Sequence, residues 1–106
     1  VAMVGRVAVL PLWGYVVHRP GWATAYGLAT SAEQFAAAHA ELIADPAVSA
    51  VVWDVDSPGG SVAGVPEAAD KLFALRGRKP TVAVSNTLMA SAAYWLASAA
   101  DEIVAA

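Results

Sequence analysis

No cysteine occurs in the 106 residues. A disulfide framework, a thiolate nucleophile and a cysteine-type zinc site are thereby excluded, and redox chemistry says nothing about compartment. Charge is scarce as well: Asp, Glu, Lys and Arg make up 14% of the chain, only six residues are basic, and the formal net charge is −3. Phosphate binding needs clustered Lys and Arg, so a nucleic-acid partner is set aside. The two histidines, His18 and His39, stand too far apart in sequence to suggest a metal site. Pro80 to Ala100 carries no charge at all, and by length alone would suit a membrane span. It opens on Pro80, contains Ser85, Asn86, Thr87, Ser91 and Ser98, and is built from Ala rather than Leu. A strand, a polar corner and a small-residue helix fit it better, and no membrane segment is expected. The N-terminal stretch lacks the basic start, long apolar run and small-residue exit of a signal peptide.

Apolar side chains are what the sequence has in surplus, 58% of the residues. That excludes disorder, which needs low hydrophobicity and high charge. About a quarter of the chain is alanine, which adds helix propensity more than core volume. The length suits one domain, residues 1–106, or a piece of one.

Four short β-rich apolar runs punctuate the chain: Arg6–Leu12, Val48–Val55, Thr81–Ser85 and Ile103–Val104. Each is nearly continuous, as expected of parallel strands covered on both faces. Helical patterns lie between them. Thr30-Ser31-Ala32-Glu33 reads as a capping box with Thr30 at the N-cap. Phe35, His39, Leu42 and Ile43 then share one helix face, and Asp45-Pro46 ends the helix. A second helix runs from Ser61 or Val65 to Arg76 with Gly77 as its C-terminal cap. A third spans Ser91 to about Ala100. Gly14–Ala29 has no clear period and reads as a loop. Alternating strand and helix implies right-handed crossovers and an α/β fold with a mostly parallel sheet. The last predicted strand runs into Ala106, so the domain is expected to be incomplete at its C-terminus.

In open parallel sheets, ligands sit at the carboxyl ends of strands. One such end is Asp56-Ser57-Pro58-Gly59-Gly60-Ser61. Pro58 fixes a bend, and Gly59 and Gly60 permit a close backbone approach, so free N–H groups there suit an anion or a developing oxyanion. A plain strand-to-helix turn would use the same residues. The other end is Met89-Ala90-Ser91-Ala92-Ala93. Ser91 sits at a helix start among small neighbours that leave its hydroxyl accessible, although serine is also a common N-cap. Taken together, a hydroxyl and amide donors at the same sheet edge are what acyl transfer needs.

The span Asp45–Ala105 resembles the signal peptide peptidase A (protease IV) family of Ser-Lys serine peptidases, its phage minor capsid protein C type most closely. The carrying features are Asp45-Pro46, Asp56-Ser57-Pro58-Gly59-Gly60-Ser61-Val62, Lys79-Pro80 before a strand, and Ala90-Ser91-Ala92-Ala93-Tyr94 leading to Ala100-Asp101. Val9-Leu10-Pro11-Leu12-Trp13-Gly14 is similar to the family's first strand. The resemblance implies a Clp/crotonase-like fold of stacked βαβ units, here its N-terminal portion. It implies Ser91 as nucleophile, the backbone N–H groups of Gly60 and Ala92 as oxyanion hole, and Gly59 as shaping the turn. Beside them Ser57, Pro58 and Ser61 read as turn or substrate-contacting residues, and Met89 either lines a substrate pocket or packs in the core. One departure from the family's pattern is that it often has Gly where Ala92 or Ala93 stands. No cofactor or metal is implied. The expected partners are an extended peptide or protein substrate and further copies of the chain.

The family's general base is a lysine later in its chain, past Ala106. Lys79 precedes a strand at the edge opposite Ser91, and Lys71 reads as a surface partner of Glu67, so neither fits. The segment alone is therefore expected to be inactive or nearly so. The absent leader and anchor favour a cytoplasmic protein that processes phage head proteins; the alternative is the bacterial inner membrane or envelope, with an anchor outside the segment. Two other readings stay open: a non-catalytic assembly module of the same fold, and a crotonase-type acyl-CoA enzyme. A Ser-His-Asp triad from His18 or His39 is disfavoured because no histidine follows Ser91. Asp54 and Asp56 resemble the first motif of haloacid-dehalogenase-type phosphatases, but Pro58 stands where that motif wants Thr or Val. Trp13, Trp22, Trp53 and Trp95 are expected in the core or at subunit contacts.

Overall fold

A computed structural model describes residues 1–106, the side chain of Thr87 excepted. Along the chain run β1 (Ala2–Val4), β2 (Val7–Val17), α1 (Trp22–Ala25), β3 (Ala29–Ser31), α2 (Ala32–Ala44), β4 (Ala50–Gly60), α3 (Val65–Ala74), β5 (Thr81–Met89), α4 (Ala92–Ala97) and β6 (Glu102–Ala105). The six strands form one sheet in the order β1-β2-β4-β5-β6, with β3 also paired to β2. Only the β1–β2 hairpin is antiparallel. The α/β expectation with a mostly parallel sheet holds. No helix among the described residues is long and apolar enough to cross a membrane.

The expected strands are present, and each runs further at its carboxyl end than its apolar run suggested, β6 by one residue. β2 continues through Trp13 and Gly14 to Val17, β4 to Gly60 and β5 to Met89. The stretch read as a loop therefore contains the end of β2, the short α1 and the first residue of β3. Its irregular composition reflects a register shift between Trp13 and Tyr15, where Gly14 takes φ +71° and leaves no room for a Cβ against the Leu28 carbonyl. Thr30 is not the N-cap of α2. Its hydroxyl bridges the backbone N–H and C=O of Trp13, while Ser31, one residue later, caps the helix by accepting from Gln34 N–H at 3.1 Å. The pairing of β3 with β2 extends the chain through Thr30 and delays the helix by one residue.

Burial along the strands alternates. Ala8, Leu10, Leu12 and Val16 of β2, Val51, Trp53 and Val55 of β4 and Ala83 of β5 are buried, beneath a layer in which α2 and α4 lie on the sheet and α3 packs against both of them. Val9, Pro11, Trp13, Val52, Asp54, Val82 and Val84 on the other face are partly or largely exposed. The expectation of strands covered on both faces is thus corrected: within these residues helices cover one face. The apolar runs arise because the second face is also rich in Val.

Trp53 is the centre of the core, fully buried and met edge-on by Phe35 at 5.2 Å and His39 at 5.0 Å. Its indole N–H donates to His39 Nδ1 at 3.2 Å, which satisfies both buried polar atoms and docks α2 on β4. Burial pushes the His39 imidazole down from its usual 6.5 to about 4, with the negative charge of Asp101 pulling the other way. Between those values the unfolded chain holds a proton that the folded chain excludes, so stability falls as pH drops through the window. At ~1.4 kcal/mol per pH unit the loss approaches about 3 kcal/mol by pH 4. Urea midpoints at pH 7 and pH 4 should show this fall in the parent, and a markedly smaller one in His39→Gln.

Candidate active site

Parallel strands β2, β4 and β5 present their carboxyl ends along one edge of the sheet. β4 ends in the diglycine corner and β5 ends just before Ser91. Val55 pairs with Ser85, but the next register pair is Ser57 with Met89. Asp56 therefore faces the longer run Asn86-Thr87-Leu88, and β5 bulges outward there. The Asn86 side-chain amide donates to Asp54 Oδ1 at 2.6 Å and ties the bulge back to β4. The Asp54 carboxylate is thus engaged with a neighbouring side chain, and no cluster of His, Cys, Asp and Glu suited to a metal occurs among the described residues.

The two corners touch. A Cβ built on Gly59 would lie 2.7 Å from Ser91 Cβ, 2.9 Å from the Ala90 carbonyl oxygen and 3.2 Å from Ala92 N. Ala90 N–H also donates to the Ser57 carbonyl at 3.2 Å. Gly59 takes φ +98°, and both its conformation and its neighbours require the absence of a side chain.

Ser91 stands at φ +53°, ψ −122°, the only non-glycine with positive φ among the described residues. Ala93 N–H donates to the Ala90 carbonyl at 3.1 Å. These values describe the turn Ala90–Ala93 as type II′ with Ser91 at its first central position, where glycine is normally found. A serine there costs of order 1–3 kcal/mol. The bland alternative, a serine used as a helix cap, does not apply, because the Ser91 side chain makes no capping hydrogen bond. The residue is exposed. Ala92 and Ala93 behind it are buried and anchor the turn in the core.

The other residues singled out in the sequence divide. Pro58, Gly60 and Ser61 are exposed around the corner, and Met89 is half-buried beside it. Gly60 packs face-on against the Val16 backbone, and Ser61 N–H donates to the Val16 carbonyl at 2.9 Å. Ser61 Oγ accepts from Ala63 N–H, closing a small turn. Ser57 is fully buried, so of contact with substrate and shaping the turn, only the second is open to it. The lysines stand apart from Ser91. Lys79 donates to the carbonyls of Leu42 and Asp45 at 3.1 and 2.6 Å, at the amino end of β5, with that nine-residue strand (~30 Å at 3.3 Å per residue) between it and Ser91. Lys71 lines a shallow cleft with His18, Glu33 and Gly64. The ion pair expected between Lys71 and Glu67 is not formed; among the described residues the pairs are Arg19–Glu33 at 3.7 Å and Arg76–Asp101 at 3.6 Å. Trp53 is the core tryptophan, whereas Trp13, Trp22 and Trp95 are exposed.

Two substitutions test this geometry without any assay of activity. Gly59→Ala forces a methyl group into backbone atoms at a positive φ and should cost about 3 kcal/mol in urea unfolding. Ser91→Gly relieves the turn and should stabilise by ~1 kcal/mol, whereas Ser91→Ala should bring no such gain.

Comparison with known proteins finds a family match that includes Ser91. Residues 74–106, which include Ser91, match peptidase family S49. The head-tail preconnector protein GP5 of Enterobacteria phage P21 is 40% identical over 97 residues, 92% of this chain and 19% of that protein. Capsid assembly protease C of Escherichia phage lambda is 37% identical over 99 residues, 93% of this chain and 23% of that protein. Protease 4 of Salmonella typhi is 42% identical over 62 residues, 58% of this chain and 10% of that protein. The chain spans about a fifth of the length of the two phage relatives. The resemblance to the protease IV family is thus met by a match to peptidase family S49 over the segment that holds the Ala-Ser-Ala-Ala corner, and by two phage relatives similar over nearly the whole chain.

Proposed function

We propose that this chain carries the nucleophile and oxyanion hole of a serine peptidase with a Clp/crotonase-like fold. The observation that carries the reading is Ser91 itself: exposed, uncapped, held in a glycine-type conformation and pressed against Gly59. Strain of this size persists where the surroundings enforce it, and such residues gather at active sites. Neither a purely architectural module nor a crotonase-type acyl-CoA site needs a serine in that conformation, so Ser91 favours the peptidase over both.

Two amides are the proposed oxyanion donors. Ala92 N–H opens α4 and has no intrahelical acceptor. Gly60 N–H follows from strand geometry: Ser61 N–H points across to β2, and alternation along a strand turns its neighbour Gly60 towards the β5 side, where Ser91 lies. An extended peptide beside the exposed Gly60–Val62 segment would offer its carbonyl to both amides. Ser91 Oγ attacks the carbonyl carbon, the π electrons move onto oxygen and are held by the two N–H groups, and the C–N bond then breaks as the amine leaves with a proton. Removing one such donor typically costs ~10²–10³ in rate.

The serine proton needs a base. Lys79 is engaged at the far end of β5, and Lys71 faces the cleft under α3. The base of the Ser-Lys dyad is therefore proposed to be a lysine outside these residues, buried near Ser91 so that its pKa is lowered. By likeness to the capsid assembly protease and the preconnector protein, the proposed substrate is a phage head protein cleaved during assembly in the bacterial cytoplasm. The exposed Trp13, Tyr15, Trp22 and Tyr26 suit contacts between copies of the chain.

A fluorophosphonate probe tests the nucleophile in the full-length protein. Labelling is expected at Ser91, absent in Ser91→Ala, with peptide hydrolysis lost by at least ~10³-fold. Hydrolysis that survives Ser91→Ala unchanged would end the serine peptidase reading.

A further inference from the structure

Ser57 is a fully buried polar residue whose hydroxyl is saturated by two partners from different segments. It donates to the Gly14 carbonyl at 2.5 Å and accepts from Gly59 N–H at 3.1 Å. Its own carbonyl accepts from Ala90 N–H at 3.2 Å. One residue thus binds the bulge of β2, the diglycine corner and the residue before Ser91. Each of the three is irregular. Gly14 lies at the register shift of β2, Gly59 at φ +98°, and Ala90 opens the turn that contains Ser91.

We infer that Ser57 is the positioning residue of the site: its hydroxyl engages Gly59 N–H and leaves Gly60 N–H as the amide of this corner that meets a developing oxyanion. Two adjacent glycines could each offer an N–H, and nothing in a Gly-Gly sequence chooses between them. The choice is made by geometry inside the core. With Gly59 N–H turned inwards to Ser57 Oγ, the peptide plane between Pro58 and Gly59 is fixed. Gly60 then follows at φ +156° with its backbone against Val16, where Ser61 N–H takes the Val16 carbonyl. Ser57 does not touch substrate. It acts by denying the corner the freedom to rotate Gly59 outwards, a freedom that two consecutive glycines would otherwise have. The Gly14 carbonyl matters equally, because it orients the hydroxyl so that its lone pair, and not its proton, faces Gly59. The consequence for turnover rests on the peptidase reading above; the hydrogen-bond geometry does not.

The test uses the full-length protein with Ser57→Ala and two readouts. In amide hydrogen exchange, Gly59 should exchange at least about tenfold faster in Ser57→Ala, while Trp53 and the other core strand amides keep their protection. In peptide hydrolysis per folded molecule, kcat should fall ~10- to 10²-fold with KM within about threefold, the pattern of a lost transition-state interaction. Should Ser57→Ala not fold, Ser57→Cys, which fills the same space but bonds weakly, is read in the same two ways. Unchanged Gly59 exchange overturns the inference, and so does turnover per folded molecule equal to that of the parent. Full turnover in Ser91→Ala would remove the peptidase reading instead, and the Gly59 exchange result would still decide whether Ser57 holds the corner.

Discussion

The structure turns on a contact to which one partner brings no side chain. Gly59 meets the Ser91 turn so closely that a single methyl group would overlap Ser91 Cβ and the Ala90 carbonyl. Two parallel strands with a regular register would bring their ends side by side at the ~4.8 Å spacing of a sheet. Here the register is broken after Val55 and Ser85, β5 bulges by way of Asn86-Thr87-Leu88, and the chain returns to pair Met89 with Ser57. The bulge re-aims the end of β5 across the diglycine corner, which is what bulges beside active sites characteristically do. The Asn86–Asp54 hydrogen bond and the Ala90–Ser57 hydrogen bond brace it on either side.

Holding Ser91 in a glycine-type turn is unfavourable by ~1–3 kcal/mol, and the compensation is close by. α4 is only six residues long, yet Ala92, Ala93, Leu96 and Ala97 are all buried. Full burial of one leucine contributes roughly 1.5–3 kcal/mol, so Leu96 alone is of the right size to offset the turn. The strained residue is thus fixed between a buried helix on one side and the Gly59 corner on the other. Releasing it would mean undocking α4. That coupling explains how an exposed hydroxyl can be kept rigid at the surface of a small domain.

Much of this was legible in the sequence, and the reasons it was not all legible are specific. Phe35, His39 and Ile43 fall on the buried face of α2 as their spacing requires, and both corners occur at strand ends on one edge of the sheet. The resemblance singled out Ser91 and Gly60, but no pattern in the sequence announces φ +53° at a serine. The N-cap was misplaced from Ser31 to Thr30 because a capping box is a local rule, whereas Thr30 is claimed by a non-local partner, the Trp13 backbone. β1 and β3 are three residues each, too short for any period to register. The one-sided cover of the sheet was hidden because Val7, Val9 and Pro11 make the open face of β2 apolar as well, so the alternation that marks a half-exposed strand never appears in composition. Ser57 read as a turn residue open to substrate; only its burial shows that it points inwards.

The alanine surplus looks at first like mere helix propensity, but at α4 its small volume is the point. Ala92, Ala93 and Ala97 lie fully buried where α4 packs on β4. Helices approach a neighbour as closely as the side chains between them allow. Leucine in place of Ala93 would push the helix axis away from β4 and carry the Ala90–Ala93 turn with it. The distance between Ser91 and Gly59 is therefore set from beneath, by methyl groups in the core, as much as from above by the missing Cβ of Gly59. The two halves of the corner are complementary: glycine removes the side chain at the surface and alanine minimises it underneath. The hydroxyl of Ser91 projects from a turn whose position neither half could determine alone.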